Sequence, residues 1–188
     1  MSPKLALPRT RKALAARALA VSVLAASAWL PATPQASAQT ADLTCAGSAT
    51  VNFSPGLTWF HKQQTDVTFS GTAAPCESSS RPGVTQGIFS GSGSGILGCL
   101  TGEFDATAVF IWSDNSYSEV SFSHASITPP EEGTPMIRAV GTITAGTFAG
   151  HLMSLDITLT LQHAALECYS TQGLTQVYGP IELDTTPQ

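Results

Sequence analysis

The sequence predicts an all-β protein: one antiparallel β-sandwich or barrel domain held by two disulfides. After residue 38 the chain is rich in Thr, Ser, Gly and Val, and Leu, Ala, Glu and Lys almost never recur at helical spacing. Apolar and polar residues alternate, as in strands, over residues 49–53, 66–70, 104–112, 118–127 and 152–161.

Residues typical of turns separate these segments, at 54–56, 81–83, 113–116 and 128–133. The pair Asp114-Asn115 predicts a hairpin between two long strands. Residues 93–98 are rich in Gly and Ser, which favours a flexible connection. Residues 163–169 have the composition of a single helical turn, which is too short to be stable without packing.

The first 38 residues have the three parts of a secretory signal. Basic residues come first, an apolar run covers residues 18–30, and Ala36-Ser37-Ala38 suits a signal peptidase. We therefore predict cleavage after Ala38, a single extracellular domain over 39–188, and a protein that is secreted. The apolar run is shorter than the roughly 20 residues of a membrane span. No signal for a lipid, sortase or C-terminal anchor is recognised, so no membrane anchor is expected.

Charge excludes one class of partner. The whole chain has 8 basic and 13 acidic residues. Cleavage would leave the basic residues Lys62, Arg81 and Arg138 against all thirteen acids, for a net charge of −10. Nucleic-acid binding depends on clustered Lys and Arg that release counterions, so no nucleic-acid partner is expected.

Four cysteines in an exported chain predict two disulfides. Four cysteines allow three pairings, and we favour Cys76–Cys99 across neighbouring strands with Cys45–Cys168 joining the first strand to a late one. The spacing C-x-x-C of many zinc sites does not occur.

A weak repeat relates residues 84–91 to residues 143–150. In both copies an apolar residue and a Phe are five positions apart, which would place them on opposite faces of a regular strand. One extra residue would restore a common face, so we predict β-bulges at Gly87 and Gly146.

Three short motifs carry a resemblance to a known group. They are Pro-Gly-Leu-Thr at 55–58, Trp-Ser-Asp-Asn-Ser at 112–116 and Gly-Thr-Ile-Thr-Ala-Gly-Thr-Phe-Ala-Gly at 141–150. Together they resemble a group of small secreted actinobacterial proteins of unknown function. The resemblance covers most of residues 45–183 and implies export, disulfides and a β-rich fold, but no activity.

The sequence contains no strong catalytic motif. Residues 93–98 match G-x-G-x-x-G, but no strand-to-helix context surrounds them, so a dinucleotide cofactor is not expected. The four histidines show no zinc-type spacing, and no metal or other cofactor is expected. His61 with Asp66, or Glu103 with Asp105, could contribute to a hydrolase site assembled from distant residues. Glu103 and Asp105 are better explained as a solvated strand face.

Aromatic residues near two turns give the best indication of function. Trp59 and Phe60 follow the turn at 54–56, and in a strand only one of the two rings would be exposed. Trp112, Asp114, Asn115 and Tyr117 surround the predicted hairpin, although Trp112 ends an apolar run and is better explained as core. Exposed rings stack on sugars or peptides with little loss of rotamer freedom.

These observations favour a non-enzymatic binding or interaction module for an unknown extracellular ligand, a glycan, a cell-wall polymer or a protein. Two alternatives stay open. One is a secreted hydrolase, and the other is an inhibitor of extracellular proteases that presents Arg81 in the loop 77–84, beside Cys76.

Overall fold

Eight antiparallel strands form a closed barrel in the computed structural model, which confirms the all-β prediction and selects the barrel over the sandwich. The structure describes residues 40–99, 101–128, 135–160 and 164–188. The strands β1 to β8 are Leu43–Leu57, Gln63–Ser78, Gly87–Gly98, Thr101–Trp112, Tyr117–Thr128, Met136–Gly146, Leu152–Thr158 and Leu174–Thr186, and the helix α1 is Ala164–Glu167.

Each strand pairs with the next along the chain, and β8 returns to pair with β1. This up-and-down order gives the barrel two ends. We call the end where β1 begins the near end and the end where β1 finishes the far end. The near end carries the β2–β3, β4–β5 and β6–β7 connections, and the far end carries the β1–β2 connection and α1.

Four of the five segments of alternating residues lie within β1, β2, β4 and β5. The fifth, 152–161, begins with β7, which ends at Thr158, and its last residue lies outside the described residues. The predicted helical turn contains α1. The predicted signal at 1–38 and most of the turn at 128–133 lie outside the described residues. The described residues include no helix long and apolar enough to span a membrane.

The barrel interior is a packed core. Alternate residues of β4 point inward, including Phe104, Phe110 and Trp112, and are buried. The rings of Phe89, Phe110 and Trp112 form a stacked column, with successive centroids 5.0 and 5.4 Å apart. An eight-stranded barrel is just wide enough for its side chains to fill it. The void deep in this core measures about 10 Å³, too little for an organic ligand.

The Gly/Ser-rich segment 93–98 is part of strand β3, so the expected flexible connection is wrong. The glycines on the inner face of β3 leave room for large rings from neighbouring strands. A Cβ on Gly91, for instance, would lie 2.3 Å from the Phe69 ring. Because glycine has no side chain, this strand shows no alternation in the sequence, although its backbone pairs fully with β2 and β4.

The predicted bulge at Gly87 is wrong, because Gly87 pairs in regular register with Ala73 and Trp112. The bulge predicted at Gly146 lies two residues earlier. Glu119 pairs with Ala145 and Val120 pairs with Ile143, which leaves Thr144 as the extra residue. Gly146 instead has φ of +83° at the start of the β6–β7 turn.

The predicted turn at 54–56 is also wrong. These residues continue β1 through a cis peptide bond between Ser54 and Pro55. The register of β1 with β8 shifts there, between Asn52 and Leu57. Pro and Gly therefore mark an irregularity within a long strand here, and the chain reverses only after Leu57.

Two disulfides are present as predicted, but both predicted pairings are wrong. The observed bonds are Cys45–Cys76 and Cys99–Cys168. Cys45 and Cys76 are paired neighbours of β1 and β2 at the near end, whereas Cys99 follows β3 at the far end. The twelve residues of β3 separate Cys76 from Cys99 by about 40 Å of strand, and a disulfide spans at most about 7 Å between Cα atoms. Disulfides are typical of proteins from oxidising compartments.

Candidate functional site

The barrel divides the predicted binding residues between its two ends. Trp59 and Phe60 lie in the β1–β2 connection at the far end. Trp112, Asp114, Asn115 and Tyr117 lie around the β4–β5 turn at the near end. Since β4 runs the length of the barrel between the two groups, they cannot form a single site.

Three exposed rings come together at the far end. Trp59 is 46% exposed, Phe60 is 76% exposed and Tyr169 is 54% exposed. The rings of Trp59 and Tyr169 stack with centroids 5.2 Å apart and planes 24° apart. Phe60 meets Tyr169 edge-on at 5.7 Å. We call Trp59, Phe60 and Tyr169 the aromatic cluster.

Backbone hydrogen bonds hold the cluster on the barrel. The Trp59 N–H donates to the Cys168 carbonyl oxygen at 3.1 Å, and the Cys99 N–H donates to the Thr58 carbonyl oxygen at 3.1 Å. The Thr58 hydroxyl donates to the His61 carbonyl oxygen at 3.1 Å, which tightens the loop. The buried Cys99–Cys168 bond joins the two segments covalently.

Both Trp59 and Phe60 are exposed, so the expectation of one buried and one exposed ring is wrong. That expectation applied strand geometry, and β1 ends at Leu57, two residues before Trp59. Tyr169 was missing from the sequence-based candidates. In the sequence Tyr169 directly follows Cys168, but the incorrect pairing of Cys168 with Cys45 would place Tyr169 at the near end of the barrel, away from Trp59.

Trp112 belongs to the core, which removes it from the ligand-binding candidates and confirms the alternative prediction. It is 2% exposed, and its ring stacks on Phe110 and meets Phe148 edge-on. Its Nε1–H donates to the Ser118 hydroxyl at 2.9 Å. A ring covered in this way offers no face to a ligand.

The Asp114-Asn115 turn is a structural element at the near end, and its hairpin confirms the prediction. The Asp114 carboxylate accepts hydrogen bonds from the hydroxyl and backbone N–H of Ser116 and from the Arg81 guanidinium at 3.0 Å. These contacts, first that of the Ser116 hydroxyl, lower the pKa of Asp114 to about 2. Asn115 has φ of +62°, and Tyr117 is about half exposed.

Asp42 is the most buried carboxylate at the near end. It accepts hydrogen bonds from the Ser79 hydroxyl at 2.8 Å and from the Ser80 N–H and hydroxyl at 2.9 and 2.6 Å. Burial raises its pKa, but these hydrogen bonds outweigh burial and leave the pKa below its ordinary value. Asp42 thus ties the start of β1 to the β2–β3 loop.

Asp42, Ser80 and His151 line a surface depression of about 680 Å³ without the geometry of a catalytic triad. His151 Nδ1 lies 3.8 Å from Asp42 Oδ2, beyond hydrogen-bond distance. The Ser80 hydroxyl donates to Asp42, so it is not aligned with a histidine base. Nucleophile and base are therefore not paired here.

The carboxylates proposed for a hydrolase lie on the outside of the barrel. Glu103 and Asp105 are exposed on the outer face of β4, which confirms the solvated strand face. His61 and Asp66 are also exposed, in the β1–β2 connection and on β2. Among the described residues, no group of three or more His, Cys, Asp or Glu side chains is placed to hold a metal ion.

Comparison with protein-family models, with curated proteins and with solved structures gives no significant match. The resemblance to small actinobacterial proteins therefore stays a prediction.

Proposed function

We propose that this protein is a secreted, non-enzymatic binding module that holds an extracellular carbohydrate or cell-wall polymer on the aromatic cluster. One observation carries the proposal: the exposed stack of Trp59 on Tyr169, fixed to the barrel by backbone hydrogen bonds and a disulfide. Exposed large rings are costly in water, and a contiguous group of them marks an interaction surface.

The chemistry of the cluster suits a sugar ring. The C–H face of a pyranose packs on an aromatic face, and the hydroxyl groups of the sugar form hydrogen bonds with polar side chains beside the rings. Polar and exposed residues adjoin the rings along the chain, among them His61, Lys62 and Ser170. The loop is already held in place, so binding would order few side chains and lose little conformational entropy.

Other features of the barrel favour surface binding over enzyme chemistry. The described strands enclose an interior filled by side chains, and the void lined by Phe104, Phe122 and Leu155 is too small for an organic ligand. Asp42, the most buried carboxylate among the described residues, accepts hydrogen bonds from Ser79 and Ser80, and His151 lies beyond hydrogen-bond distance of it. A hydrolase would bring nucleophile and base within about 3 Å of each other.

Secretion is part of the proposal. It is supported by the signal-like residues 1–38 and by two disulfides within the barrel. Mass spectrometry of the protein from culture medium should identify Gln39 as its first residue. Retention of the uncleaved chain in the cells would contradict export.

Polymer binding is tested with the purified, oxidised protein and insoluble cellulose, chitin and peptidoglycan in a sedimentation assay. We expect saturable binding to at least one polymer, weakened roughly tenfold or more by Trp59→Ala or Tyr169→Ala. Tyr178→Ala is the matched control, because Tyr178 is equally exposed at 57% but lies on the outer face of β8. Failure to bind any polymer, or an equal loss in the control, would overturn the proposal.

A second candidate, protease inhibition, is favoured by the rigidity of the loop that carries Arg81. Ser79 and Ser80 in this loop are bound to Asp42, and the Cys45–Cys76 disulfide lies nearby. Rigid loops beside disulfides suit inhibitors, which bind as preformed surfaces. However, the Arg81 guanidinium pairs with Asp114, so a protease pocket would have to break that ion pair. Full activity of trypsin-like proteases in the presence of excess protein excludes this function.

A further inference from the structure

The aromatic cluster is assembled from two chain segments more than a hundred residues apart. Trp59 and Phe60 come from the β1–β2 connection, and Tyr169 follows α1 in the β7–β8 connection. Stacking between two exposed rings contributes only about 1 kcal/mol. The rings therefore need a separate structural element to keep them together.

The Cys99–Cys168 disulfide occupies the junction between the two segments. Cys99 donates its N–H to Thr58, the residue before Trp59, and Cys168 accepts the Trp59 N–H through its carbonyl oxygen. Cys168 is also peptide-bonded to Tyr169. The two cysteines of this disulfide therefore contact the backbone of the Trp59 segment and are bonded directly to Tyr169, so they join the two sides of the ring stack.

We infer that Cys99 and Cys168 are positioning residues of the binding site, a role that Cys45–Cys76 does not share. This inference rests on the proposed function. The β7–β8 connection runs from residue 159 to 173, and its only helix among the described residues is the single turn α1. One helical turn is unstable alone, so without the disulfide the Tyr169 segment samples more conformations, and ligand binding must order it again.

The other disulfide provides a matched control. Cys45 and Cys76 are directly paired in the β1–β2 ladder at the near end. Strand pairing keeps them adjacent without the bond, and the aromatic cluster lies at the opposite end of the barrel. Its loss should lower stability and leave the cluster intact.

The experiment compares Cys99→Ala/Cys168→Ala with Cys45→Ala/Cys76→Ala under conditions where circular dichroism shows both barrels folded. Hydrogen exchange at the Trp59 amide reports the contact with Cys168 without any ligand. We expect roughly tenfold or greater loss of Trp59 protection and of polymer binding in the first variant, and less than about twofold change of either in the second. Equal effects of the two variants, or none in the first, would overturn the inference.

The two proposals fail separately. If the native protein binds no polymer, the proposed function fails, and Trp59 exchange still tests whether the disulfide positions the rings. If Cys99→Ala/Cys168→Ala does not fold, the inference is tested by hydrogen exchange of the Trp59 amide in the native protein. A positioned Trp59 amide exchanges as slowly as the amides of β1, and rapid, loop-like exchange would overturn the inference.

Discussion

Replacing Phe110 by alanine tests whether the aromatic column holds the barrel together. Phe110 is fully buried, and its ring stacks on Phe89 at 5.0 Å and on Trp112 at 5.4 Å. Truncating a buried Phe to Ala generally costs about 3–5 kcal/mol. Because two stacked partners lose a ring contact at once, we expect the upper end, about 5 kcal/mol.

A loss of that size is measurable, since domains of this length unfold with roughly 5–15 kcal/mol. Urea unfolding of the oxidised protein should show it directly, and the melting temperature should fall by about 10–20 °C. Val109→Ala is the control, because Val109 is the preceding residue of β4 but faces outward and is 43% exposed. It should lose less than about 1 kcal/mol.

Comparable losses in the two variants would refute the inward and outward assignment of β4. A loss below about 2 kcal/mol for Phe110→Ala would refute the view that the column is rigidly packed, because the core would then have collapsed into the vacated volume.

Three further predictions concern the near end. The pKa of Asp42 is below its ordinary value of 3.8, since hydrogen bonds from the two serines after β2 outweigh burial. The ionised carboxylate therefore stabilises the folded protein at pH values above the pKa of Asp42 in the unfolded chain. This stabilisation is lost as the pH falls through the pKa of Asp42 in the folded protein. Urea unfolding from pH 6 down to about 2.5 should show a steeper loss for the native protein than for Asp42→Asn, and equal slopes would contradict this. The pKa of Asp114 is about 2 because of the Ser116 hydroxyl first and the neighbouring guanidinium next. In Ser116→Ala, carbon-13 NMR titration should show that the pKa of Asp114 rises towards 3.8. An unchanged pKa would rule out the Ser116 hydroxyl as the main cause. Gly146 and Gly150 have φ of +83° and +86°, but an added Cβ would lie 2.1 Å from a carbonyl oxygen at Gly146 and would meet nothing within 4 Å at Gly150. Gly150→Ala should cost about 1–2 kcal/mol in urea unfolding and Gly146→Ala clearly more, so equal costs would argue against the close contact.

Strand β4 was predictable because it carries large side chains on one face. In β4 every second residue is buried, so the period-2 pattern appears directly in the sequence. The second half of β3 was missed because its inner positions at 91, 93 and 95 are glycines, which contribute no hydrophobic signal. The atoms that fill the space beside these glycines belong to neighbouring strands, among them the Phe69 ring at Gly91, and no local sequence pattern reports them.

The candidate site was predictable only in part for a similar reason. Trp59 and Phe60 were recognised from their place after a Pro-Gly pair, although that pair continues β1 instead of turning. Tyr169 lies beside them at the far end, where Cys168 bonds to Cys99 and not to Cys45. Four cysteines permit three pairings, and nothing in their spacing states which end of the barrel each one occupies.

The sequence by itself determined the all-β class, the presence of two disulfides and a surface with few basic groups, because composition and alternation act locally along the chain. Only the tertiary structure decided barrel closure, the disulfide pairing and the meeting of Tyr169 with Trp59. These depend on which strand ends lie together, and that is set by the antiparallel pairing of all eight strands. Contacts between distant segments follow from this global arrangement, so no short stretch of sequence contains them.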